Sequence, residues 1–528
     1  MKISVRKSFI TAGLVASALA FNGCVNDLDR QPFNDVTSAT VYNSPTGYQQ
    51  VLAKIYAGLA VTGQSGPAGK PDIQGVDEGA SNYLRQLWSA QELPTDEAVI
   101  AWNDNTIQDF HQMDWSSADV FTRALYYRIF YQITLANEFI RESSDAKLAE
   151  RGISGTDATN IKAYRAEARF LRALSYYHAL DLYGNVPFVT ETDAVGSNLP
   201  RQIQRTELFN YVESELKAIE TELVDARKNE YGRADKAAAW TLLARLYLNA
   251  EVYTGQKKFT EAITYSKKVI DAGYALEGNY ADLFKADNNT SREIIFPITF
   301  DGNRTKTWGG TTFLVCAPIG GSMKAADFGV NGGWAGIRTT KSLVNLFPTG
   351  GTDKRAMFYT AGQSLEINDV TVFTDGYAVT KWSNRTKAGA NGSDPNLQHP
   401  DTDFPLFRLA DVYLTYAEAV LRGGTGGDVA TALGYVNQLR QRAYGSTGGN
   451  LTTLSVDQIL DERGRELYWE GYRRTDLIRY GKFTTTAYLW PWKGGTKEGR
   501  GVESFRNLYP LPASDVVANP NLKQNPNY

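Results

Sequence analysis

Only two cysteines, three histidines and four methionines occur in 528 residues. Cys24 and Cys316 can make at most one bridge, so no disulfide framework holds this chain and its stability must come from a core. His111, His178 and His399 are far apart and form no zinc or histidine-based catalytic signature. Charge of one sign is also missing: 55 Lys and Arg face 58 Asp and Glu, with a formal net charge of −3 and no basic block. That balance makes a poor nucleic-acid binder. Past the N-terminus there is no run of about 18 apolar residues, so no transmembrane helix is predicted. Aromatics are abundant instead: 10 Trp, 30 Tyr and 23 Phe. Most must serve as core. Those in Gly-, Asn- and Thr-rich stretches are candidates for another role.

The first 24 residues carry an address. Lys2, Arg6 and Lys7 precede an uncharged stretch over residues 9–20, which ends at Phe21-Asn22-Gly23-Cys24. A basic start, a short apolar run and a small residue at the cut site predict a secretory signal over residues 1–23. The apolar run is too short to span a bilayer, which takes about 20 residues. A Cys directly after the small residue resembles the lipobox of bacterial lipoproteins, which implies a lipidated Cys24 as the new N-terminus. Cleavage there removes three positive charges and no negative one, taking the formal charge from −3 to −6. With Cys24 lipidated, no intrachain disulfide is possible. Residues 24–45, polar and broken by Pro32, are expected to be a tether.

Helical periodicity dominates from residue 46 onward. Helices are predicted over 46–59, 119–141, 160–183, 205–226, 234–250 and 259–272. In the third, Ala166, Phe170, Ala173, Tyr177 and Leu180 recur at steps of four and three, one helical face. Gly184 and Pro187 then stop it. The unit returns late, with helices over 406–422 and 428–443 around a Gly-rich turn and a further helical pattern over 456–479. Paired helices with small residues facing large ones and short Gly turns predict a mostly α fold, a degenerate tetratricopeptide-like scaffold of helical hairpins over about 46–284 and 406–480. Residues 285–405 differ. Gly, Asn, Thr and Asp abound, with short apolar runs such as Ile294-Ile295-Phe296-Pro297-Ile298, and read as an insertion of loops and short strands. Loops on a rigid scaffold are the usual home of function.

Several segments together resemble the SusD/RagB family of Bacteroidetes surface lipoproteins. They are Leu28-Asp29-Arg30-Gln31-Pro32, Tyr183-Gly184-Asn185-Val186-Pro187-Phe188, Phe407-Arg408-Leu409-Ala410-Asp411-Val412-Tyr413, Glu462-Arg463-Gly464-Arg465-Glu466-Leu467, Glu470 to Leu477, and Asn519 to Pro526. Asp77-Glu78-Gly79, Glu92 to Glu97, Gly309-Gly310-Thr311-Thr312 and Trp490 to Gly495 are similar to the starch-binding branch of that family. The resemblance implies a SusD-like fold and a lipid-anchored protein of the outer membrane's outer face. It implies a binding protein, not an enzyme, that takes α-glucans or malto-oligosaccharides and passes them to a SusC-like TonB-dependent transporter.

A sugar presents apolar CH faces and polar edges, so its site needs aromatic plates and a few donors and acceptors. By the resemblance, Trp102, Trp308 and Trp334 would form an aromatic arc that follows the curve of an α-glucan, and Arg85 and Asn105 would bond hydroxyls. Trp308 lies before a Gly pair and Trp334 after Asn331-Gly332-Gly333, both loop-like settings. Two positions depart from the starch-binding pattern. Ile100 stands where another Trp is expected, and Trp308 where a Tyr is. Some relatives bind calcium near the segment matching residues 286–292, but Asn289 and Arg292 fall where oxygen ligands are needed, so no metal or other cofactor is assigned. Three other readings remain: the same family role on a fructan, another glycan or a peptide; a scaffold lipoprotein binding protein only; and a glycoside hydrolase. The last needs two carboxylates facing each other across a cleft, and adjacent Asp96 and Glu97 do not offer that.

Overall fold

The computed structural model describes residues 38–528, apart from Asn105, Ser197 and Asn198. Cys24, most of the expected tether and Asn105 therefore lie outside the described residues. Ten helices of ten residues or more carry the architecture: α1 (Pro45–Ala60), α2 (Tyr83–Glu92), α3 (Val120–Glu142), α4 (Gly155–Leu182), α5 (Arg205–Ile219), α6 (Lys236–Leu248), α7 (Phe259–Asp271), α8 (Leu409–Leu421), α9 (Val429–Tyr444) and α10 (Val456–Leu467). Neighbours in sequence lie side by side, α3 on α4, α4 on α5, α6 on α7 and α8 on α9. None of these helices is long and apolar enough to cross a membrane.

Local chemistry sets the helix ends. Asp119, Asp235 and Asp428 cap α3, α6 and α9 by accepting backbone N–H groups from the first turn, and Ser455 with Gln458 forms a capping box on α10. Gly184, at φ 73°, ends the turn after α4 in a conformation closed to most side chains. The predicted face of α4 is buried throughout.

Several boundaries differ from expectation. Helix α5 stops at Ile219, well short of 226, and Leu406 belongs to a strand, so α8 begins at Leu409. The pattern over 456–479 is two helices, α10 and Arg473–Arg479, separated by a bend in which Trp469 (φ 62°) and Gly471 (φ 80°) are left-handed. Within the expected tether, Ser38–Val41 is already helical. Helix α2 has no counterpart among the predicted helices.

The insertion has a neck. Helix α8 lies against α7, although 137 residues separate them in sequence. At that point Ile294–Ile298 pairs antiparallel with Phe404–Arg408. Pro297 faces Pro405 there, beside a register shift, which is how two residues without an N–H are tolerated in one ladder. The insertion thus leaves and re-enters the scaffold at one place. It also holds the short helix Gly310–Cys316, where the sequence predicts loop.

Three of the segments shared with the SusD/RagB pattern, around Arg408, Glu462 and Glu470, meet in a buried ion network. Arg408, at the end of the neck strand, pairs with Glu293, Glu466 and Glu470 at 2.6–2.8 Å, with every partner fully buried. Arg355 pairs with Asp353, Glu462 and Glu466, and Lys381 with Glu470. Arg463 joins Asp411 to Asp476. Breaking one member of such a network leaves uncompensated buried charge. These carboxylates therefore specify the fold and are not free for chemistry.

Candidate functional site

Two long-range contacts assemble the site. The first is Asn82, the N-cap of α2. Its Oδ1 accepts from the backbone N–H groups of Arg85 and Gly310, both at 3.0 Å, and its Nδ2 donates to the Ala60 carbonyl at 2.6 Å. One amide thus ties the end of α1, the start of α2 and the helix Gly310–Cys316. Gly309 comes so near that a Cβ would sit 2.1 Å from the Asn82 Cβ. Arg85 and Trp308 become neighbours as a result. The second contact is a two-residue ladder, Val99–Ile100 against Ile337–Arg338, extended by the Ala101 N–H donating to the Gly336 carbonyl at 2.7 Å. It sets Trp102 beside Trp334.

The three predicted tryptophans converge. The ring centres of Trp102 and Trp334 are 6.4 Å apart, and those of Trp308 and Trp334 also 6.4 Å, tilted by 42° and 65°. All three are half-buried rather than freely exposed. The Trp102 indole N–H donates to the Trp334 carbonyl at 3.1 Å, which locks the two together. Gly336 fits under Trp102, where a Cβ would fall 2.4 Å from its Cε2 and Cζ2. A rigid, tilted set of rings offers apolar plates at little entropic cost.

Arg85 sits at the edge of this arc. Its guanidinium lies 4.5 Å from the centre of the Phe313 ring and 5.8 Å from that of Trp102. One N–H group donates to the Gly79 carbonyl at 3.0 Å and reaches towards the Trp308 carbonyl at 3.5 Å. Burial lowers its pKa to about 10, while Asp77 and Asp104 favour the charged form, so it stays cationic at neutral pH. Together with Trp102, Trp308, Asp77 and Asp104 it lines a cleft of about 700 Å³, in the range of ligand sites.

Sequence reasoning missed two aromatic supports. Phe313 is buried beneath Arg85 and its ring centre is 6.3 Å from that of Trp102; its only sequence signal is its place just after the Gly309-Gly310 pair. His399 lies 5.0 Å from Trp308, ring centre to centre. Burial lowers its pKa, with Asp394 opposing, so it is neutral at pH 7. Ile100 is a buried ladder residue, so the position where a further plate was expected is core.

Asp96 and Glu97 point inward. Asp96 accepts from Nε and Nη2 of Arg473, each at 2.7 Å, and from the Tyr488 hydroxyl at 2.7 Å. Glu97 accepts the Trp469 backbone N–H at 2.9 Å, and burial pushes its pKa up to about 7 against the pull of Arg473. Neither lines the cleft. In residues 286–292, Asp287 accepts the Lys387 backbone N–H, Asn288 bonds the backbone of Leu283 and Asp403, and Arg292 is exposed.

Comparisons with known proteins point one way. The family model described as "SusD family" matches residues 357–528, and that described as "Starch-binding associating with outer membrane" matches residues 28–248. The chain is 38% identical to the starch-binding protein SusD of Bacteroides thetaiotaomicron, over the whole of both chains. It is 25% identical to a SusD-like protein of Bacteroides ovatus, over all of this chain and 99% of that one. Among solved structures, a SusD homologue from Bacteroides thetaiotaomicron superposes with a TM-score of 0.71 at 20% identity, covering 93% of this chain and 99% of that one. A laminarin-binding SusD-like protein gives 0.69 at 21%, covering 92% and 99%.

Proposed function

Because this chain belongs to the SusD family, whose members bind carbohydrate and do not cut it, we propose that it is a cell-surface lipoprotein that captures starch and malto-oligosaccharides and delivers them to a SusC-like TonB-dependent transporter. The observation that carries the ligand is the convergence of Trp102, Trp308 and Trp334 beside Arg85, on a chain 38% identical to a starch-binding protein. Three tilted plates match the apolar faces of successive glucose units along a curved chain. The indole N–H groups of Trp308 and Trp334 have no partner among the described residues and remain for hydroxyls, as do the unengaged N–H groups of Arg85. Asn105, adjacent in sequence to Asp104 of the cleft, supplies a further amide in this reading. The anchor at Cys24 rests on the N-terminal sequence alone, while the family description, which mentions association with the outer membrane, supports the location.

The test is affinity electrophoresis of the protein lacking residues 1–24 through gels containing amylopectin, laminarin, levan or no polysaccharide. Retardation by amylopectin alone is expected. Retardation only by laminarin or levan would move the ligand to a β-glucan or fructan. No retardation by any of them would leave a scaffold role.

A further inference from the structure

The cleft is lined by more than the aromatic arc. Beside Trp102 and Trp308, its lining includes the first turn of α3 through Val120, Phe121 and Arg123. We propose that this second part is an extension subsite, in which the Arg123 guanidinium hydrogen-bonds hydroxyls of the glycan unit that runs past Trp308. The proposal rests on the glycan reading and adds to it a residue and a length preference.

Arg123 is unusual in this chain. Other arginines with a buried unbonded nitrogen are held by further bonds: Arg172 by Asn137, Glu191 and Glu215, and Arg474 by the Asn507 carbonyl. The Arg123 side chain has no hydrogen bond and no carboxylate partner among the described residues, and its Nε is buried with no acceptor. The helix end beside it is already satisfied, since Asp119 accepts from Phe121 and Thr122. Arg123 is therefore not a cap or an ion-pair member. A desolvated donor without an acceptor is unfavourable unless something supplies one. The fork of a guanidinium suits paired oxygens, and the neighbouring hydroxyls of a pyranose provide them.

The charge of the cleft selects among glycans. Asp77 and Asp104 balance Arg85 and Arg123, so the lining is formally neutral. A uronic or sulfated chain would meet two carboxylates with no surplus of positive charge. A neutral polyhydroxylated chain meets donors and acceptors of both kinds.

Calorimetry with maltotriose and maltoheptaose separates the subsite from the arc. Arg123→Ala should lower maltoheptaose affinity about tenfold or more, the worth of a hydrogen bond to a charged donor, and leave maltotriose affinity nearly unchanged. Trp334→Ala should lower both together. An Arg123→Ala protein that binds both sugars as the wild type does, or loses both equally, overturns the subsite while the glycan reading stands. A wild type that binds neither sugar sinks that reading and the subsite with it. Should Arg123→Ala fail to fold, Arg123→Met, which keeps the apolar stem, carries the same comparison.

Discussion

Replacing Gly336 by alanine perturbs one binding plate through a single methyl group. A Cβ at this position would lie 2.4 Å from Trp102 Cε2 and Cζ2 and 2.9 Å from its Nε1. Ordinary carbon contacts are about 3.5–4.0 Å, so the overlap is more than an ångström and one partner must move. The Gly336 backbone is fixed on both sides: its N–H donates to the Ala317 carbonyl at 2.8 Å and its carbonyl accepts from Ala101 at 2.7 Å. Trp102, half-buried and open to the cleft, is the freer of the two. Its ring should tilt outward and lose the 3.1 Å bond to the Trp334 carbonyl. Overpacking costs about 1–3 kcal/mol in a closed core; a ring that can escape towards solvent belongs at the low end, so the fold should weaken by about 1 kcal/mol. Binding should suffer more, since two plates change their mutual angle at once. A loss of about 1.4 kcal/mol or more, tenfold in affinity, is expected. Calorimetry against a malto-oligosaccharide, with a thermal melt as control, reads both numbers. Wild-type affinity at full stability would refute the argument, and so would a protein that no longer folds.

The rest of the molecule is open to similar tests. Trp334→Ala should weaken malto-oligosaccharide binding by about 1–3 kcal/mol while the melt stays near wild type, and a cyclic α-glucan should bind at least as well as a linear one because its curvature is preset; a circular dichroism melt and calorimetry decide. Cys24→Ala should release the protein from the outer membrane or leave it unprocessed, as fractionation of cells lacking the transporter would reveal. Burial alone would raise the Glu462 and Glu418 carboxyls, but Arg355, Arg465 and Arg440 around the first, and Arg479 and Arg422 around the second, outweigh it and hold both at about 2, against an ordinary 4.5. Their stabilisation is therefore present above about pH 4.5 and is lost as pH falls towards 2. Glu462→Gln should remove about 3–5 kcal/mol at neutral pH and make the acid limb of a urea-midpoint profile shallower; an unchanged slope would contradict this.

The sequence disclosed most of the long helices and the apolar run Ile294–Ile298 that forms a neck strand. Helix α4 was legible because one face is apolar at steps of four and three. Helix α2 was not, although Arg85, Gln86, Ser89 and Glu92 share one face, because ten residues are too few for such a period to stand out; yet it carries Arg85. Gly471 was the available signal for the break after α10. The neck ladder and the pairing of Val99–Ile100 with Ile337–Arg338 join residues far apart in the chain, and no local pattern announces them. The arc residues were legible only through a family resemblance. Composition marked tryptophans near glycines as unusual, and nothing in it said that three of them meet. Arg123 gave no signal, since a lone Arg on a helical face reads as solvated.

The neck and the small ladder together divide the proposed binding surface between two stretches of chain. Arg85 and Trp102 belong to the N-terminal stretch, while Trp308 and Trp334 arrive only with the insertion. No contiguous piece of the polypeptide smaller than residues 85–334 contains the arc together with Arg85. In the proposed site, affinity for glycan would thus be an assembled property: it would require both distant strand pairings, and a chain with its insertion undocked would lack two of the plates. Exchange of the segment between the neck strands would replace two plates and leave Trp102 in place, so a transplanted insertion must bring a partner for Val99 and Ile100 before it can bring a new specificity.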